Sequence, residues 1–136
     1  MTILIVEDEK IILNTLTFVL ENSGHKIIST SDSKEALRTL LIRKDSNLGI
    51  DLVILDMDLS DFSAIQLLKE MDQRHISIPM IMINGLFDMK SRKDLTEGDK
   101  TVWIKKPFNP AEIIACVKGI ERKIKKTDFR DKKQRF

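Results

Sequence analysis

The reactive side chains of this sequence come in small groups. Carboxylates occur as the pair Glu7-Asp8 near the start, and as Asp56 with Asp58 two residues on. An amide, Asn84, is followed by Gly85, and a basic pair, Lys105-Lys106, runs into Pro107-Phe108. Carboxylates gathered in one place repel one another. The usual resolution is a hard cation such as Mg²⁺, which takes oxygen ligands and keeps several waters. A lysine beside such a site is a point charge suited to a phosphoryl oxygen. A cation, a nucleophilic carboxylate and a lysine together describe phosphoryl transfer, in which catalysis is mostly positioning and charge neutralisation.

These groups can act together only if the chain brings them to one place, and the segments before them say how. Ile3-Leu4-Ile5-Val6 is a continuous apolar run, as expected of a strand buried on both faces, and it ends at Glu7-Asp8. Leu52-Val53-Ile54-Leu55 ends at Asp56, Met80–Ile83 at Asn84, and Val102-Trp103-Ile104 at Lys105-Lys106. Pro79 sits at the edge of the third of these runs, where a missing donor is tolerated. A weaker run, Lys26–Ser29, supplies one more strand. Between the strands the apolar residues recur at helical spacing. Ile12, Leu13, Leu16, Val19 and Leu20 predict a helix from about Glu9 to Ser23, with Gly24 as its stop. Asp32 and Glu35 form a capping pair for a helix reaching about Arg43, and Asp45–Ile50 reads as a loop. Ile65, Leu68 and Met71 mark a helix from Ser63 to Gln73. Leu86–Lys100 is weakly patterned, and a helix there has little behind it. Asn109, Pro110 and Glu112 open the last helix, which continues through Ile113, Ile114, Val117, Ile120 and Ile124. Five β-α units imply an α/β fold, a doubly wound five-stranded parallel sheet of flavodoxin-like type. In such sheets ligands bind outside the carboxyl ends of the strands, which is where every reactive group falls.

The chain has 136 residues, enough for one domain with a full core. With 42% hydrophobic and 32% charged residues it has the composition of a globular protein. No apolar run approaches the roughly 20 residues of a membrane span. Met1–Val6 turns acidic at once, unlike a signal peptide, so a cytoplasmic location is the expectation. The single cysteine, Cys116, excludes an internal disulfide framework and is placed in the core of the last helix. His25 and His75 share no spacing and are read as surface residues. The net charge of +2 is uneven: Lys118–Phe136 carries nine Lys/Arg against three Asp/Glu, or +6, which leaves −4 for Met1–Val117. A globally basic nucleic-acid binder does not have an acidic body.

The acidic pair after strand 1, the Asp after strand 3 and the Lys-Pro pair after strand 5 together resemble the receiver (CheY-like) domain of bacterial two-component response regulators. The resemblance covers about Thr2 to Lys123. It implies a receiver domain over residues 1–123, followed by a basic tail or linker at 124–136. It also implies that Asp56 accepts a phosphoryl group from a histidine kinase or a phosphotransfer protein. Asp8 and Asp56 would bind Mg²⁺ by their carboxylates, Glu7 directly or through water, and Asp58 by its backbone carbonyl. Lys106 would contact the phosphoryl oxygen, with Pro107 making a cis peptide. Trp103 stands where the family carries its switch aromatic. Phosphorylation would reshape the face made by the Leu86–Gly98 region, strand 5 and the last helix. An output protein or a second copy of the chain would read that face. Such a domain is not an enzyme beyond its own phosphotransfer and autodephosphorylation. No nucleic-acid-reading module fits within this chain, and no membrane contact is expected.

The sequence departs from that pattern in places. Asn84 replaces the usual Thr or Ser; its amide can still donate to a phosphoryl oxygen, or it is a turn residue only. Trp103 is either a switch or plain packing at a sheet edge. After the acceptor, Ser60-Asp61 and Ser63-Ala64 stand where the family often has Pro-Gly and Asp-Gly. Two other functions remain to be weighed. One is a scaffold of the same fold that is never phosphorylated. The other is a Mg²⁺-dependent phosphatase, since Asp56-Met57-Asp58 resembles the Asp-x-Asp motif of haloacid-dehalogenase-like hydrolases. In those enzymes the motif follows the first core strand; here it follows the third.

Overall fold

The computed structural model describes residues 1–44, 48–60, 63–85 and 100–134, with side chains through Thr127. Part of the loop expected at 45–50, Asp61, and nearly all of Leu86–Lys100 lie outside the described residues.

Five strands form one parallel sheet: β1 (Thr2–Val6), β2 (Lys26–Thr30), β3 (Leu52–Asp56), β4 (Met80–Asn84) and β5 (Thr101–Lys105). Their order is β2-β1-β3-β4-β5, with β1 and β3 paired directly from Ile3↔Leu52 to Val6↔Leu55. Chain order thus reverses between β1 and β3, the topological switch point of a flavodoxin-like sheet. The described helices are α1 (Lys10–Asn22), α2 (Ser33–Arg43), α3 (Ala64–Gln73) and α4 (Pro110–Gln134).

Residue alternation along each strand splits the core in two. Ile3, Ile5, Leu52, Ile54, Ile81, Ile83 and Ile104 pack with Leu16 and Leu20 of α1 and with Ile113, Val117 and Ile120 of α4. Leu4, Val6, Val53, Leu55, Met80 and Met82 pack with Ala36 and Leu40 of α2 and with Leu67 and Met71 of α3. Both faces of the central strands are covered, which is why β1, β3 and β4 read as unbroken apolar runs. β2 pairs with β1 alone and is partly exposed, which is why its pattern is the weakest.

The caps follow from single residues. Asp32 accepts the Glu35 N–H at 2.8 Å to open α2, and Asn109 accepts the Ala111 N–H at 2.9 Å to open α4. Gly24, at φ +92°, closes α1: its N–H reaches the Glu21 carbonyl and that of His25 reaches Leu20. His75 closes α3 by the same pattern at φ 56°, without being glycine. Two expectations are corrected here. α4 does not end near Ile124 but runs to Gln134, because no glycine or proline follows Gly119 to stop it. His25 is half-buried, its Nδ1 3.1 Å from the Met1 amino group, rather than lying free on the surface. His75 is exposed, and Cys116 is half-buried against the α1–α4 core.

Candidate functional site

The switch point between β1 and β3 collects the acidic groups. The Glu7 N–H extends the β1–β2 ladder one residue beyond the strand by donating to the Thr30 carbonyl at 3.1 Å. This turns Glu7 inward, where it is 1% exposed; Asp56, the last residue of β3, is 2% exposed. Asp8 is half-exposed in the link between β1 and α1. A carboxylate oxygen from each of Glu7, Asp8 and Asp56 lies within 4.8 Å of the others.

Each group has a distinct setting. Asp56 Oδ1 accepts two hydrogen bonds, from the Asp58 N–H at 2.9 Å and from Lys106 Nζ at 3.0 Å. Glu7 Oε1 accepts a long bond from the Glu9 N–H at 3.4 Å, while Oε2 has no hydrogen-bond partner among the described residues. Burial, reinforced by the hydrogen bond and charge of Asp56, pushes the Glu7 carboxyl up to about 8; Lys106 and the Glu9 N–H oppose this. Burial alone would also raise Asp8, but the hydroxyl and N–H of Ser60 hold it below the usual carboxylate value. Burial would lower Lys106, yet its bond to Asp56 and the charges of Asp56, Glu7 and Asp58 hold its ammonium above the ordinary lysine value.

The remaining sequence-predicted residues lie on the same rim or beside it. Asn84 is 1% exposed at the end of β4, and its carbonyl accepts the Lys106 N–H at 2.7 Å. Lys105 points to solvent while Lys106 is half-buried, and the Lys106–Pro107 peptide is cis. The Asp58 carboxylate accepts the Gly85 N–H at 2.6 Å, tying the loop after β3 to the end of β4. A Cβ on Gly85 would meet that carboxylate at 3.4 Å, an ordinary contact distance. Trp103 is not on this rim. It pairs with Met82 in mid-strand and packs, half-buried, against the core on the α2–α3 side. One contributor escaped the sequence reading: Ser60, which donates both its N–H, at 2.8 Å, and its hydroxyl to Asp8 Oδ2. Its only trace in the sequence was that it stands where proline is common.

The residues fit a hard cation. Among the described residues three carboxylate oxygens converge, and one buried oxygen of Glu7 lacks a hydrogen-bond partner.

Comparison with known proteins agrees with this geometry. The sequence profile of the response regulator receiver domain matches residues 3–118. The chain is 34% identical over 124 residues to the alkaline phosphatase synthesis transcriptional regulatory protein PhoP of Bacillus subtilis, covering 89% of this chain and 48% of that protein. It is 32% identical over 124 residues to the phosphate regulon transcriptional regulatory protein PhoB of Escherichia coli, covering 90% and 52%. The chain therefore spans about half the length of these relatives. A two-component response regulator from Clostridium difficile superposes with a TM-score of 0.74 at 27% identity, covering 90% of this chain and 97% of that one. The chain belongs to the response regulator receiver domain family, and its place is in two-component signalling. No helix among the described residues is long and apolar enough to cross a membrane.

Proposed function

We propose that this receiver domain accepts a phosphoryl group on Asp56 from a phosphohistidine of a sensor kinase or phosphotransfer protein. A carboxylate oxygen of Asp56 would attack phosphorus, forming the P–O bond as the P–N bond breaks and its electron pair returns to the imidazole. Asp56 is held for this by the Asp58 N–H, and Lys106 neutralises charge on the phosphoryl oxygens. Glu7, Asp8 and Asp56, with the carbonyl of Asp58, would hold Mg²⁺, which when bound supplies further charge neutralisation at the phosphoryl group. The observation that carries this reading is the 3.0 Å contact between Lys106 Nζ and a buried aspartate that also adjoins two further carboxylates.

The phosphoryl group brings roughly two negative charges to the rim. The Asn84 amide would turn to donate to it, and Trp103, one strand over, would follow. A minor conformation becomes the major one, and the surface that includes β5 and α4 changes shape for an output protein or a second copy of the chain. Signalling of this kind takes place in the cytoplasm, with no contact to nucleic acid from these residues.

The test is the intact mass of the protein after brief incubation with acetyl phosphate and Mg²⁺. The expected result is a gain of one phosphoryl group that needs both Mg²⁺ and Asp56. No gain at any short time, with donor consumption no faster than in buffer, would leave a scaffold of the same fold.

A further inference from the structure

We infer that Ser60 is a positioning residue for the cation site, fixing Asp8 by one carboxylate oxygen so that the other serves as the ligand. The inference rests on the reading of Glu7, Asp8 and Asp56 as Mg²⁺ ligands.

Asp8 is the least buried of the three carboxylates and lies in the short link between β1 and α1. Its side chain is tied from outside that link, by a residue 52 positions away, across the switch point. Both donors of Ser60 fall on Oδ2: the N–H at 2.8 Å and the hydroxyl by a short contact. No other residue's hydrogen bond falls on Oδ1 among the described residues. Charge-assisted bonds of this kind are strong, and two on one oxygen fix both the position and the rotation of the carboxylate. Ligands held by an outer hydrogen bond meet a metal in one orientation, without losing side-chain freedom on binding.

The chemistry of residue 60 is what makes this possible. A proline there would have neither an N–H nor a hydroxyl to give. The departure from the family's frequent Pro-Gly therefore adds a second anchor to the rim. A competing sign has to be considered. If Oδ2 were itself the ligand atom, Ser60 would compete with the cation and its loss would tighten binding.

Calorimetric titration of the full chain with Mg²⁺, without phosphodonor, separates these cases. Removing an outer-shell partner typically weakens metal binding by about 10- to 100-fold. Ser60→Ala keeps the backbone N–H, so the expected loss is about tenfold, at the low end of that range. Ser60→Thr keeps the hydroxyl and should bind within about twofold of the parent. The thermal midpoint without metal, recorded for each variant, should fall only slightly for Ser60→Ala, because residue 60 is exposed and its N–H still holds Asp8. Equal affinity of Ser60→Ala and the parent would overturn the inference, as would tighter binding by Ser60→Ala. Equal weakening in Ser60→Ala and Ser60→Thr would overturn it too, by showing that the loop and not the hydroxyl matters. A parent chain that binds no Mg²⁺ would instead overturn the reading of the cation site on which the inference stands.

Discussion

The two ends of the same five strands handle charge in opposite ways. At the amino end, Asp51 is exposed, with one carboxylate oxygen capping the Thr2 N–H at 2.8 Å. Lys100, Lys123 and Lys126 stand exposed around a groove floored by Ile78, Pro79, Val102 and Ile124. At the carboxyl end, Glu7 and Asp56 are pressed together out of water with Lys106 as their cation. Both ends carry carboxylates and lysines. Only one keeps them where their charges are costly to hold, and that cost is what the proposed cation and phosphoryl group would relieve.

Exchanging equivalent residues at the two ends tests this contrast. The largest difference should come from the aspartates. Asp56→Asn should abolish the phosphoryl gain from acetyl phosphate, whereas Asp51→Asn should be labelled to the same extent as the parent in the same mass measurement. The lysines come next. Lys106→Met leaves a buried Asp56 without its cation and should lower stability by about 1–3 kcal/mol. Lys123→Met should stay within about 0.5 kcal/mol. Urea unfolding at neutral pH reads both, and equal losses would erase the distinction.

The pH dependence of the Glu7 end follows from its raised carboxyl. The folded chain holds this proton up to about 8, while the unfolded chain releases it near the ordinary 4.5. Folded protein therefore binds more protons in between, so the contribution of Glu7 to stability falls as pH rises from about 4.5 to about 8 and is level above. A cation must displace the same proton, so the rise in thermal midpoint caused by Mg²⁺ should grow as pH approaches 8 and then level off. Glu7→Gln should flatten the metal-free slope. A midpoint that climbs with pH over that range, without metal, would contradict the assignment. A smaller effect of the opposite sign lies at the amino end, where α3 turns through His75 in the left-handed region. That conformation costs a non-glycine residue about 1–2 kcal/mol. His75→Gly, allowing for the greater freedom of glycine when unfolded, should raise stability by about 0.5–1 kcal/mol in the same urea measurement.

The same contrast explains what could be read from the sequence. Ile3–Val6, Leu52–Leu55 and Met80–Ile83 announced themselves because strands covered on both faces must be apolar throughout. The groups that follow them fell at one rim by topology alone. Asp32 and Asn109 were legible as caps because capping is a matter of neighbours two or three residues apart. The clasp of Ser60 on Asp8 and the bond between Asp58 and Gly85 were not legible. They join residues 52 and 27 positions apart and leave no periodicity behind. The raised Glu7 carboxyl was equally hidden, since it depends on how completely the folded chain excludes water. The continuation of α4 past Ile124 was missed for a different reason: charged residues that look like a tail are also good helix formers.

In free aspartate the two carboxylate oxygens are interchangeable, and no experiment can tell one from the other. At Asp56 the fold breaks that symmetry. Oδ1 accepts from both the Asp58 amide and the Lys106 ammonium, and that marks it off from its twin. A side chain with no handedness of its own acquires, from two donors on neighbouring loops, a definite front and back.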